Sequence, residues 1–312
     1  MSELMVRLLP VFILLVIGFI SRKSGLFRES FVDGLKTLIV KIALPAVLFN
    51  SFSTMELQLS YLLLFAMVFL YCALLYGLGN LLHRVFPSVF GRLYTKGFMT
   101  GFEFGMIGVG LFGAIWGMDK LPVIMLIGFG HELFIWFCYV PLISANEKEK
   151  FNLGKTVMEF LKTPTIAAIL IGVAVNLLGL YPVLEGNVIG KSVLETVGLL
   201  TPLTSPLILI VIGYNMSFAR GGLKEITAYL SARILLTLGI GTLVFFLINS
   251  MVHGLDPLFT EAFYAFLLLP APYILPLFIS EQEEAAFFTQ LLVYSTLLTF
   301  IGYGVLAWFS AI

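Results

Sequence analysis

Leu267-Leu268-Leu269-Pro270-Ala271-Pro272-Tyr273-Ile274-Leu275-Pro276-Leu277-Phe278 is apolar enough to lie in a bilayer, yet it carries three prolines within seven residues. Each proline removes a backbone donor, and its ring clashes with the carbonyl four residues earlier, so a continuous helix cannot run through. In hydrocarbon the freed backbone groups need partners, and such a break is tolerated only where it is buried in protein or lines a wet cavity. Broken helices at membrane depth are how transporters build substrate sites. A plain kink needs one proline. Three at mid-span predict a site that includes Pro270, Pro272 and Tyr273.

The rest of the chain has the composition such a segment needs. Of 312 residues, 60% are hydrophobic and 12% charged, with 30 phenylalanines; soluble domains lie near 45–50% apolar and about 25% charged. The chain reads as an all-α polytopic membrane protein with no soluble domain. A net charge of zero gives no reason to expect nucleic acid. Cys72 and Cys138 both fall in apolar runs and read as packed thiols, and no metal-ligand spacing exists. Only Arg7 precedes the first apolar run and Arg22-Lys23 follow it, so that run reads as a retained helix, not a cleaved signal.

A spanning helix takes roughly 20 apolar residues. Ten candidates occur, at 5–21, 32–53, 58–82, 97–116, 121–145, 162–181, 190–216, 226–250, 259–279 and 286–311. The alternate loops after spans 1, 3, 5 and 7, with their helix ends, hold 14 Lys and Arg, Arg233 among them; the opposite side holds 3. That bias places those loops in the cytoplasm and both termini outside it. The expected organisation is a first five-helix repeat at 1–145, a charged cytoplasmic linker at 146–158 and a second repeat at 159–312.

Internal matches support the repeat. Pro10, Ile17, Gly18, Gly25 and Leu26 of span 1 recur as Pro164, Ile171, Gly172, Gly179 and Leu180, each 154 positions later. Pro45 and Pro206 lie 161 apart, and Gly108-Val109-Gly110 lies 162 positions before Pro270-Ala271-Pro272. Five helices is an odd number, so the second copy enters from the other side and the repeats are inverted. Spans 4 and 9 are then expected to break and cross at mid-membrane, span 4 at Gly108–Gly110.

Half-helix N-termini at such a crossing present unpaired N–H groups that suit an anion. Gly108 and Gly110 allow close approach of a ligand to the backbone, or serve close helix packing alone. Ionisable residues inside spans are costly and mark sites by default. Glu103 is expected to bind substrate and to carry a proton or ion. His131 and Glu132 are further candidates for coupling, although neighbours on a helix cannot both face one cavity. Lys41 reads as a structural charge partner for a carboxylate. Asn50 is a weaker substrate-binding candidate, and Asn176 and Asn215 read as interhelical glue.

Several stretches are similar to the auxin efflux carrier family. They are Leu9-Pro10-Val11-Phe12, Arg22-Lys23-Ser24-Gly25-Leu26, Ala43-Leu44-Pro45-Ala46-Val47-Leu48-Phe49, Pro164 to Gly172, Ser205-Pro206-Leu207 to Gly213, and the break in span 9. The short central loop resembles the bacterial branch, which implies a bacterial inner membrane. The resemblance implies a scaffold of helices 1, 2, 6 and 7, a moving transport unit of helices 3–5 and 8–10, and a homodimer. It implies a small carboxylate as substrate, of the malate, malonate or auxin-like kind, and no resident cofactor. The family's Asn and Pro in span 4 are replaced here by Glu103 and Gly110. A charged Glu103 repels an anion, so it is expected to take up a proton when substrate binds or to hold a cation, or else the substrate is not a simple anion.

Four functional readings follow. The first is a carboxylate transporter working by alternating access, proton-coupled through Glu103. The second is a sodium-linked carrier of the bile-acid symporter type. An intramembrane enzyme is disfavoured: His131-Glu132 begins like a zinc motif, but Ile135 stands where the second histidine belongs. The fourth is a passive channel.

Overall fold

The computed structural model describes residues 2–55, 58, 60–144, 162–215 and 223–310, and among these there is helix and no strand. The expected linker at 146–158 lies outside the described residues. The helical stretches are numbered here in chain order. α1 is Ser2–Lys23. α2 runs through Glu29–Leu38, Ile39–Ala43 and Leu44–Thr54, and α3 is Ser60–Val85. α4 consists of Thr95–Met99 and, after an interruption, Phe104–Gly108 and Val109–Trp116. α5 is Leu121–Phe134, Ile135–Tyr139 and Val140–Ser144, and α6 is Pro164–Leu177. α7 is Val188–Leu200, Thr201–Leu203 and Thr204–Asn215, and α8 is Leu223–Met251. α9 is Phe259–Leu267 followed, after a second interruption, by Leu275–Phe278; α10 is Gln282–Ser310.

Six of these stretches are long and apolar enough to cross a membrane: Ser60–Val85, Thr95–Trp116, Met118–Ile143, Val188–Asn215, Lys224–Met251 and Gln282–Ser310. Large apolar side chains stand on their outward faces, among them Leu62, Leu70, Leu235, Phe246 and Ile301, each more than 60% exposed. In water such a surface drives aggregation; against lipid tails it is the favourable one. The protein is built as a multi-pass helical membrane protein.

The prolines inside helices explain two local irregularities. In α2 and α5 a π turn ends two residues ahead of a proline: Ile39–Ala43 before Pro45 and Ile135–Tyr139 before Pro141. A proline offers no N–H to the carbonyl four residues back and pushes its ring at it. Widening the turn moves that carbonyl aside and lets the helix continue.

Close helix packing follows a paired pattern. A Cβ added to Gly18 of α1 would collide with the Ile210 carbonyl of α7 and lie 2.7 Å from Tyr214 N. A Cβ added to Gly172 of α6 would lie 2.9 Å from the Phe49 carbonyl of α2 and 3.3 Å from Ser53 N. Phe49 and Ser53 stand 161 positions before Ile210 and Tyr214, the same separation as Pro45 and Pro206. Thus α1 seats on α7 as α6 seats on α2, glycine for glycine.

Candidate functional site

The interruptions in α4 and α9 meet. In α4 the helix stops at Met99 and resumes at Phe104, so the break is Thr100–Glu103. This corrects the expectation of a break at Gly108–Gly110. Both glycines lie in helical turns, and each serves a close contact. A Cβ on Gly108 would lie 3.0 Å from Leu269 Cδ1, and one on Gly110 would lie 2.9 Å from Ile208 Cγ2 of α7. They are packing glycines, in the manner of small residues at membrane helix crossings. The glycine that permits the break is Gly101. Its φ of 70° is in the left-handed region, and a Cβ there would lie 2.7 Å from Pro272 Cγ.

The backbone groups freed by the two breaks find partners across the crossing. Glu103 N–H donates to the Pro270 carbonyl at 2.8 Å. The Glu103 carboxylate accepts from Tyr273 N–H at 2.7 Å on Oε2 and from Met106 N–H at 3.4 Å on Oε1. The Pro272 carbonyl accepts from Leu275 N–H at 3.1 Å. Phe102 N–H donates to His131 Nε2 of α5 at 2.9 Å. The Thr100 hydroxyl donates to the Cys72 carbonyl of α3 at 2.7 Å, and the Thr299 hydroxyl of α10 donates to the Leu268 carbonyl at 2.6 Å.

The carbonyls at the cut ends are gathered by Arg233 of α8. Arg233 is 3% exposed, and its guanidinium donates to Phe98 O at 2.5 Å, Gly101 O at 2.8 Å and Leu269 O at 3.3 Å. It lies 5.2 Å from the Phe102 ring centroid and 5.5 Å from that of Phe98. A cation is favoured there, because helix C-termini carry partial negative charge. Sequence reasoning counted Arg233 as a cytoplasmic loop-end charge. Instead it stands ten residues into α8, about 15 Å along the axis, and belongs to the crossing. The rule that intramembrane charges mark sites would have found it.

Two cavities flank the crossing. The larger, about 390 Å³, lies between α7 and α10; Lys36, Asn215, Met106, Tyr273 and Thr296 give its polar and crossing-side lining. The Tyr273 and Thr296 hydroxyls lie 2.7 Å apart, hydrogen-bonded. The smaller, about 70 Å³, lies between α2, α6 and α5 and includes Phe104, Gly105 and Glu132. α5 lines the smaller with Met125, Gly128, Phe129 and Glu132; α10 lines the larger with Thr289, Leu292, Val293 and Thr296. Each of these four pairs is 164 positions apart.

The remaining expected site residues divide. His131 is 1% exposed and faces the crossing, whereas Glu132 accepts from Trp136 Nε1–H at 3.2 Å and faces the smaller cavity. Lys41, expected as a charge partner, is exposed on α2, and among the described residues no carboxylate lies in ion-pair range of it. The Asn50 carbonyl accepts the Ser53 and Thr54 hydroxyls, and Asn50 lines neither cavity. Asn215, read from sequence as glue, lines the larger one; Asn176 donates to the Phe52 and Met55 carbonyls, tying α6 to the end of α2. Cys72 and Cys138 are free thiols. Among the described residues no cluster of His, Cys, Asp or Glu has the makings of a metal site. No known family model and no curated protein matches the chain.

Proposed function

We propose that the protein is a secondary transporter that moves a small organic carboxylate, of the malate, malonate or auxin-like kind, by alternating access across a bacterial inner membrane. The observation that carries this reading is the crossing itself. Two interrupted helices bond to each other through Glu103, Pro270 and Tyr273, beside a cavity of about 390 Å³ that reaches Met106 and Tyr273. Small-molecule sites are commonly pockets of roughly 300–1,000 Å³, mostly apolar with a few placed polar groups. Lys36 and Asn215 supply the groups for a carboxylate, and Val211, Ile212 and Leu292 supply a wall for its carbon skeleton.

The architecture in this reading is ten spans in two inverted five-helix repeats, with α1, α2, α6 and α7 as scaffold and α3–α5 and α8–α10 as the moving unit. The exchanged seating of Gly18 and Gly172 supports it, as do the equivalent lining positions of the two cavities. An inverted repeat places one such cavity toward each face of the membrane, and a carrier keeps one open while the other is closed. The unequal volumes, about 390 and about 70 Å³, are what that cycle requires of a single state. With Arg233 moved to the crossing, the charge bias falls to 13 against 3 and still orients both termini away from the cytoplasm. The resemblance to auxin efflux carriers, and the homodimer it implies, belong to this proposal.

Glu103 has a definite part. Its two oxygens take N–H groups that would otherwise await an anion, so substrate is received at Lys36 while Glu103 holds the crossing. The sodium-linked alternative needs free carbonyls beside Glu103. Arg233 engages three of them as a built-in cation, which favours proton coupling. The test is uptake of labelled malonate, malate and indole-3-acetate into vesicles of purified protein, with a proton or a sodium gradient imposed. Saturable uptake driven by the proton gradient is expected. Uptake only under the sodium gradient, or turnover of an acid without any vesicle, would replace this reading.

A further inference from the structure

We propose that His131 is the group whose protonation opens the break in α4. Imidazole has one lone pair on each unprotonated nitrogen. That of Nε2 is taken by Phe102 N–H at 2.9 Å, so the neutral ring carries its hydrogen on Nδ1. A second proton can enter only at Nε2. The ring would then have no acceptor for Phe102, and two N–H groups would face each other. A proton on Nε2 and the Phe102 bond are mutually exclusive. Glu103 differs: each carboxylate oxygen has two lone pairs, so one proton can be added without evicting either N–H it accepts.

The surroundings provide for the charged form. His131 Nδ1 is buried and has no hydrogen-bond partner, and Glu132 Oε1 stands 3.4 Å from it. The contact is close but not aligned as a hydrogen bond, so a countercharge waits beside a donor that is unsatisfied in the neutral ring. The other groups around the ring are few. α4 presents the Phe102 and Phe104 rings, with Glu103 next to both, and α9 presents Phe266 at 5.5 Å between centroids. Arg233 of α8 lies on Phe102, and α3 brings Tyr71 and Cys72. α2 faces α5 across the smaller cavity with Leu44, Leu48 and Phe52, all apolar. Glu132 and Glu103 are thus the carboxyl groups near His131, and Arg233 is the cation beyond Phe102.

Phe102 adjoins Glu103, whose own N–H ties α4 to α9. Losing the Phe102 bond loosens the link between the halves of α4, and the proton thereby acts on the crossing. His131 is a positioning residue in this account, acting through Phe102. Its place as the coupling proton carrier rests on the transporter reading; the exclusion between proton and bond does not.

Hydrogen–deuterium exchange of the intact protein in nanodiscs tests it without substrate, read by mass spectrometry on peptides spanning 100–104. Protection, corrected for intrinsic exchange, is compared at about pH 5 and about pH 8. The wild type is expected to lose protection there by roughly five- to tenfold at the lower pH, the worth of one hydrogen bond. Peptides within α8 are expected to stay constant. In His131→Gln, whose amide oxygen can accept from Phe102 but takes no proton, the segment is expected to be protected equally at both pH values. Wild-type protection that is flat with pH overturns the proposal whether or not the variant folds, and so does a pH response that persists in His131→Gln. If uptake fails with every acid while the exchange result holds, the transporter reading falls and the switch stands.

Discussion

Replacing Arg233 by methionine removes a side chain that reaches the cut ends of both α4 and α9. Methionine fills a similar volume, so the loss is electrostatic more than steric. Three buried carbonyls, those of Phe98, Gly101 and Leu269, lose their donor. Hydrogen bonds to a charged group are worth about 1.5–3 kcal/mol each, and stranding a buried acceptor costs about 1–3 kcal/mol. These terms overlap, and losing one partner from a buried ionic network typically costs about 3–5 kcal/mol in all. We expect Arg233→Met to destabilise the protein by that amount, lowering its melting point by on the order of 10 °C. Arg233→Lys, a point charge without the planar fork, is expected to fall between. The assay is thermal reaction of a thiol-reactive dye in detergent, in a Cys138→Ala background. Cys72 is fully buried and its carbonyl is bonded to Thr100 in the break, so its labelling reports opening at the crossing. Melting of Arg233→Met within about 0.5 kcal/mol of wild type, the ordinary scatter of surface substitutions, would refute the assignment.

Other variants separate the parts of the account. Gly101→Ala forces a side chain into a left-handed backbone against Pro272, and is expected to cost about 1–3 kcal/mol in the same melting assay. Gly18→Leu and Gly172→Leu are each expected to lower yield and melting temperature, because each drives a side chain into a facing helix backbone; tolerance of either would break the claimed equivalence of the two seats. Lys36→Met is expected to raise the substrate concentration for half-maximal uptake by tenfold or more, about 1.4 kcal/mol, while melting is unchanged. Its side chain is 38% exposed, and its ammonium is paired with Asp33 on the same helix.

The break in α9 was legible because proline acts through its own covalent structure, wherever the chain goes. The break in α4 was not. It depends on Gly101 taking a left-handed conformation and on Pro272, His131 and Arg233 arriving from elsewhere, none of which leaves a local mark. Gly108 and Gly110 misdirected the reading because glycine serves close packing and backbone freedom alike. Only the neighbour, Leu269 or Ile208, tells which. Arg233 is hidden in the sequence for a related reason: counting charges near helix ends discards depth, and the end of an apolar run is blurred by two turns or so. Lys41 shows the reverse, a mid-helix charge that composition marks as paired and the structure leaves exposed. A carboxyl in an apolar run is expensive, which singles out Glu103 in the sequence, but its partners, Tyr273 and Met106 N–H, come only from the fold.

The central claim is that the two cavities are the two faces of one alternating site. Met125 lines the smaller cavity and Thr289 the larger, 164 positions apart, and Met125 is 1% exposed. In a cysteine-free background, Met125→Cys and Thr289→Cys can be labelled in sealed vesicles with a membrane-impermeant thiol reagent added to one side at a time. The account predicts that Thr289→Cys reacts at once from the cytoplasmic side. Met125→Cys should react only from the opposite side, and only while substrate is being turned over. Reaction of both from the same side, or a Met125→Cys that stays inert throughout turnover, would contradict it.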